Sequence, residues 1–204
     1  MMKNAWDKKR AENHVATYGA PDNPNPRYKR RMVFAAKQVT GSVLDVGCGV
    51  GYLYPLLRSK VSTYKGVDSS PYMIKIAKSH FPDGCFEVGD AYDLSKEDEC
   101  DSVISMSLLI HIHKDDTEKV IKEMWSRTKQ TLVFSMPIDR DVSKTVELSR
   151  KIRGASGVTL ITHISDRRLE KILHTLNPKQ IKKIPFRKGS FGFGLNDFLI
   201  KVTK

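Results

Sequence analysis

The sequence predicts an α/β fold: a doubly wound, mostly parallel seven-stranded sheet with helices on both faces, the last strand antiparallel, and a helical segment at the N-terminus. Three observations predict it. From residue 41 onward, short apolar runs alternate with amphipathic stretches, the pattern of repeated strand–helix units. The first run ends in a turn with glycines at 47, 49 and 51, where a strand must bend sharply into a helix. The last two runs, 180–186 and 196–204, have no helical stretch between them and suit an antiparallel pair.

The elements follow in order. Residues 3–17 and 27–39 read as two helices, the second of them basic. Between them lies 19–27, whose three prolines and one glycine cannot sit inside a helix. SVLDVG (42–47) is a buried strand and YLYPLLRSK (52–60) a helix with Pro55 in its first turn. YKGVDSS (64–70) is the second strand. SSPYMIKIAKSHF (69–81) is a helix with a serine cap and Pro71 at its start. GCFEVGD (84–90) and the apolar DSVISMSLLIHI (101–112) are the third and fourth strands. KDDTEKVIKEMWSRT (114–128) is a helix with acids at its start and Val120, Ile121, Met124 and Trp125 on one face. QTLVFSMP (130–137) is the fifth strand, and 143–154 and 165–176 are helices. In the latter, Leu169, Ile172, Leu173 and Leu176 form the buried stripe, and Asn177-Pro178 ends it.

Bulk properties bound the class. A chain of 204 residues holds one domain with a sizeable core, and 40% apolar against 28% charged residues is ordinary for a globular protein. No window approaches the ~20 apolar residues of a membrane span, and the N-terminus has no signal-peptide core, so a cytoplasmic protein without a membrane partner is expected. Cys48, Cys85 and Cys100 are odd in number and lack metal-ligand spacing, so free thiols and no metal are expected. The net charge of +12 is concentrated at the ends: +6 in residues 1–40 and +8 in 167–204, against −2 between them. Basic ends fit either a solvated surface or an acidic or polyanionic partner.

The glycine turn carries the chemistry. Glycine lets a ligand touch main chain, and the free amides at a helix start attract an anionic group. A nicotinamide dinucleotide is one candidate ligand. Its fingerprint needs a small residue at position 52, where this chain has Tyr52, and Asp45 before the turn is foreign to it. A phosphate-binding P-loop is excluded because no Gly-Lys-Ser/Thr follows.

Asp45, Gly47, Gly49 and Gly51 together resemble the first motif of class I S-adenosylmethionine-dependent methyltransferases. Further matches follow in order over about residues 41–137. The second strand ends in Asp68, followed by Ser69, where the family places an acid on the ribose hydroxyls. The third leads to Asp90 and Ala91, where the family has an acid and a small residue beside the adenine. Met106 opens the segment after the fourth strand, similar to the one that lines the methionine end. The resemblance thus implies S-adenosylmethionine as cofactor and S-adenosylhomocysteine as product. It also implies a lid of residues 1–40 over a cofactor-binding domain of 41–204. Met73 would pack on the adenine, and Arg31 or Arg10 would meet the cofactor carboxylate.

Methyl transfer obliges no particular catalytic residue. It needs the acceptor held ~3–3.5 Å from the methyl in a dry pocket, and a base only where a proton must leave. His111 and His163 are candidate bases or acceptor contacts. Tyr18, Tyr28 and Trp6 are candidates for an aromatic cover on the acceptor. The family's Asn/Asp-Pro-Pro-Tyr/Phe motif for methylating amino groups of adenine, cytosine or glutamine is replaced here by SMSLLIHI. A small-molecule acceptor methylated at O, N or C is therefore the leading expectation. RNA, bound through the basic N-terminal segment, is the alternative. A non-catalytic, cofactor-binding partner subunit is a third reading.

Overall fold

In a computed structural model, residues 6–139, 148–154, 157–187 and 196–204 are described. Two helices open the chain, α1 (Lys8–Tyr18) and α2 (Pro26–Ala36). Asp7 caps the first by accepting from the Arg10 amide, and Asn25 caps the second by accepting from the Tyr28 amide, each at 2.9 Å. Between them, β1 (Gly19–Ala20) and β2 (Asn23–Pro24) form a small antiparallel hairpin.

The main sheet contains β3 (Ser42–Val46), β4 (Thr63–Asp68), β5 (Cys85–Val88), β6 (Cys100–Ser105), β7 (Thr128–Asp139), β10 (Gln180–Arg187) and β11 (Asn196–Thr203). Their order is β10-β11-β7-β6-β3-β4-β5, with β11 antiparallel to both neighbours and the other pairings along this path parallel. The expected doubly wound, mostly parallel order of seven strands is present, within a sheet that two further strands extend to nine through β7. Strand β3 pairs with both β4 and β6, so the order reverses there, and a cleft must open beyond its carboxyl end.

Side-chain alternation along β3 builds both cores. Val43 faces a cluster containing Ala11, Met32 and Ala35 of α1 and α2, and Met73, Ile74 and Ala77 of α4 (Pro71–His80). Leu44 and Val46 face the other, with Val120, Ile121 and Met124 of α5 (Thr117–Ser126) and Leu169, Ile172 and Leu173 of α6 (Asp166–His174). The N-terminal helices thus bury apolar residues in the same core as the sheet. No helix among the described residues is long and apolar enough to cross a membrane.

Three elements depart from the sequence reading. Residues 148–154, expected within a helix, form β8 (Leu148–Gly154), antiparallel to β9 (Gly157–Ser165) with Gly154 opposite Gly157. The rest of that expected helix lies outside the described residues. Strand β9 carries Val158, Thr159, Ile161, Thr162 and Ile164 and continues onto β7 through Ile138 and Asp139, so a β-branched partner strand overrides local helical spacing. The fourth strand stops at Ser105 rather than Ile112. Ser107 turns into the left-handed region (φ 63°), its amide donates to Ser135 Oγ at 2.8 Å, and a 3-10 turn follows over Leu109–His111. The helix after the glycine turn, α3, is only Tyr54–Leu57.

Candidate functional site

The glycine turn is tied to β4 at three points. The amides of Gly47 and Cys48 donate to the Val67 carbonyl at 2.8 and 3.0 Å, and the Gly49 amide donates to Asp68 Oδ2 at 2.9 Å. All three glycines take positive φ, 73°, 56° and 86° in order. A Cβ at Gly49 would meet no heavy atom within 4 Å, so the turn presents bare backbone to open space. At Gly51 a Cβ would lie 2.9 Å from the Phe86 ring. Gly51→Ala is therefore expected to cost about 2 kcal/mol of stability through strain and overpacking, read as a lower urea midpoint at unchanged slope.

That open space is a cleft of about 610 Å³, counted to its solvent mouth. It is lined by Asp45, Gly47, Gly49, Asp68, Met73 and Met106 together with the rings of Trp6, His14, Tyr28, Tyr52 and His111. The apolar walls with a few polar groups suit a small-molecule site. Asp68 accepts from the Ser70 amide through Oδ1 at 2.9 Å as well as from Gly49 through Oδ2, which leaves lone pairs on both oxygens. Burial raises the Asp68 carboxyl above its usual range, and these two amides hold it back.

Asp45 is buried at the root of the turn, where it accepts from the Tyr64 hydroxyl at 2.7 Å. Burial pushes its carboxyl up to about 7, against the opposing Tyr64 hydrogen bond. The Cys48 thiol is raised by burial and then by Asp45 and Asp68, which makes it a poor nucleophile. The three cysteines are free, and no group of potential metal ligands occurs among the described residues.

The aromatic part of the lining is assembled from four places in the chain. His14 of α1 packs against Tyr18 at 4.6 Å, Trp6 at 5.6 Å and Tyr52 at 5.8 Å between ring centroids. Tyr28 of α2 packs on Tyr18 and Tyr52, each at 4.8 Å, and His111 of the 3-10 turn meets Trp6 at 5.3 Å. Two bonds dock this segment: the Ser70 hydroxyl donates to the Trp6 carbonyl at 2.6 Å, and the Tyr52 hydroxyl donates to the Gly19 carbonyl at 2.8 Å.

Of the sequence candidates, Asp45, Gly47, Gly49, Asp68, Met73, Met106, Tyr28 and His111 line the cleft. Gly51 packs on Phe86 behind it, and Ser69 is exposed. Asp90 caps a turn by accepting from the Tyr92 amide at 3.0 Å, and Ala91 packs against the α5–α6 core. Tyr18 stands at the exposed edge of the ring cluster. Arg31 is ion-paired with buried Asp197 at the start of β11, lies over the Phe186 ring, and is not among the cleft-lining residues. His163 lies within β9, and Arg10 covers Trp6 at 5.1 Å. Sequence reasoning missed His14 and Tyr52. Tyr52 directly follows the third glycine, and His14 lies one helical turn before Tyr18, so both signals were present.

The family described as a methyltransferase domain matches residues 43–131, the stretch from β3 to β7. Magnesium-protoporphyrin O-methyltransferase of Rhodobacter capsulatus is 33% identical over 99 residues, 46% of this chain and 44% of that protein. Malonyl-[acyl-carrier protein] O-methyltransferase of Priestia megaterium is 29% identical over 147 residues, 66% of this chain and 52% of that protein. The chain thus spans about half the length of these curated relatives. The crystal structure of magnesium protoporphyrin IX methyltransferase from Synechocystis PCC 6803 with bound S-adenosylmethionine superposes with a TM-score of 0.72 at 16% identity, over 99% of this chain and 94% of that one. The likeness to that structure is one of fold, and the methyltransferase-domain match over residues 43–131 begins at Val43, just before the glycine turn.

Proposed function

We propose that the protein transfers a methyl group from S-adenosylmethionine to an O, N or C atom of a small-molecule acceptor and releases S-adenosylhomocysteine. The observation that carries this reading is the cleft itself. A bare glycine backbone and a carboxylate with spare lone pairs stand at the switch point, and the cleft continues into aromatic walls. Asp68 accepts from the ribose hydroxyls, and Asp45 balances the positive charge of the amino-acid end. Met73 and Met106 wall the nucleoside and methionine parts, and in this reading Ser69, Asp90 and Ala91, which lie outside the described lining, serve the nucleoside. When bound, the cofactor supplies an electrophilic methyl on a sulfonium. The chain's own residues orient the acceptor and exclude water, with the N-terminal segment that carries α1 and α2 contributing Trp6, His14, Tyr28 and Met32 as a lid.

Both curated relatives are named for acceptors that are not nucleic acid. The described lining contains no lysine or arginine to receive a phosphate backbone, which disfavours the RNA reading. RNA methylation would show rates that fall steeply with salt. Turnover by the isolated protein would dismiss the non-catalytic reading. Free cysteines suit the reducing cytoplasm.

Calorimetric titration tests the cofactor. Micromolar binding of S-adenosylmethionine and S-adenosylhomocysteine is expected, with no heat from NAD. Binding of NAD alone would overturn the reading.

A further inference from the structure

We propose that His14 is the proton acceptor of the methyl-transfer site and that the acceptor is a planar aromatic alcohol. This rests on the methyltransferase reading and names its acceptor class.

Five of the residues that line the cleft present flat faces: Trp6, His14, Tyr28, Tyr52 and His111. Such a slot favours a planar ring, which can stack on or meet the edges of these faces. Among the described residues, the carboxylates Asp45 and Asp68 are the acidic groups in the lining, and no lysine or arginine accompanies them. An anionic acceptor group would find no cation in this lining, whereas a neutral hydroxyl needs none. A neutral hydroxyl must lose its proton as it attacks, so the site needs a base.

His14 meets that need better than the sequence candidates. It lines the cleft, and its contacts among the described residues are with rings, so its nitrogens hold no structural hydrogen bond there. His163 lies outside the lining. Burial first, and neighbouring His111 second, lower His14 to about 4, so the ring is neutral at physiological pH. The titratable groups around it are Tyr18 of its own helix, Tyr28 of α2, Tyr52 and His111. Arg10, also on α1, covers Trp6.

In the step, the hydroxyl proton passes to a ring nitrogen of His14 and the oxygen lone pair forms the new C–O bond. The methyl–sulfur bond breaks with its electron pair on sulfur. The products are the aryl methyl ether, neutral S-adenosylhomocysteine and a His14 imidazolium that passes its proton to water. A positive charge disappears from sulfur as one appears on His14. The sulfonium therefore suppresses protonation of His14 before transfer, and its loss permits it.

The test uses the full chain and 2-naphthol as probe, with calorimetry to confirm cofactor binding. The His14 C2–H resonance, assigned by its loss in His14→Gln, is followed from pH 7.5 to 4.5. It should start to move toward the protonated shift at higher pH with S-adenosylhomocysteine bound than with S-adenosylmethionine. In the S-adenosylhomocysteine complex, 2-naphthol should displace the same resonance. With S-adenosylmethionine, formation of 2-methoxynaphthalene should fall at least 10²-fold in His14→Gln. His14→Phe keeps the ring packing and serves as the second variant. Coincident curves with both cofactors bound, no response to 2-naphthol, or parental product formation by both variants would overturn the proposal while leaving the methyltransferase reading intact. Failure to bind either cofactor would overturn the parent reading instead.

Discussion

Asp68→Ala is expected to weaken S-adenosylmethionine binding at least tenfold, and about a hundredfold where both ribose hydrogen bonds are lost. Each hydrogen bond from a hydroxyl to a carboxylate is worth ~1.5 kcal/mol or more, and two of them account for a hundredfold. A second loss adds to this. Asp68 Oδ2 holds the Gly49 amide at 2.9 Å, so alanine also frees the turn that presents bare backbone to the cleft. Asp68→Asn separates the two contributions. Its amide oxygen can still accept from Gly49 or Ser70, but its NH2 group faces the diol with donors in place of lone pairs. Asparagine should therefore retain the parental thermal midpoint and lose most of the affinity, whereas alanine should lose some of each. Calorimetry and a melting curve on the two variants decide it. A folded Asp68→Ala protein with the parental dissociation constant would remove Asp68 from the cofactor site.

The legibility of this chain differs between its parts for physical reasons. The β3–β4–β5 and β6–β7 units were readable because buried parallel strands need continuous apolar runs, and because a turn of three positive-φ residues needs glycine. Strand β8 was not. In LSRKIRG the apolar Leu148 and Ile152 stand four apart, as on a helix face, and only pairing with β9 decides otherwise. Nor was the end of β6, since left-handed serine at 107 leaves no local signature and depends on Ser135 accepting from its amide. Within the site, the carboxylates at strand ends were legible because topology fixes where those ends lie. The aromatic part of the lining was less legible. Trp6 and Tyr28 stood out as large rings near a basic helix. His14 became a candidate only when Ala11 sank into the core and Ser70 bound the Trp6 carbonyl, turning one face of α1 toward the cleft. Arg31 illustrates the converse. Its sequence position suited a carboxylate partner, and the fold supplies one internally in Asp197.

Asp45 should make cofactor affinity depend on pH across neutrality. With its carboxyl at about 7 in the ligand-free protein, roughly one molecule in ten is ionised at pH 6 and nine in ten at pH 8. A cationic ligand beside it favours the ionised form, so binding at pH 6 must first expel a proton. Affinity for S-adenosylmethionine should therefore rise about tenfold from pH 6 to pH 8 relative to Asp45→Asn, in which the step is absent. The ligand's own amine titrates alike with both proteins, and the ratio between them isolates Asp45. Stability of the ligand-free protein runs the other way. A carboxyl raised from 3.8 to about 7 contributes stability that is full below 3.8 and is lost as pH rises through 7. Asp68 and Asp197, also raised, slope in the same sense, whereas His14, lowered from 6.5 to about 4, gains stability as pH rises through that interval. The parent-minus-variant difference in unfolding free energy should thus fall with pH for Asp45→Asn and rise for His14→Phe. Binding that releases no proton at pH 6, measured calorimetrically in buffers of different ionisation heat, would show that Asp45 stays protonated beneath Tyr64. Its role would then be to anchor the turn alone.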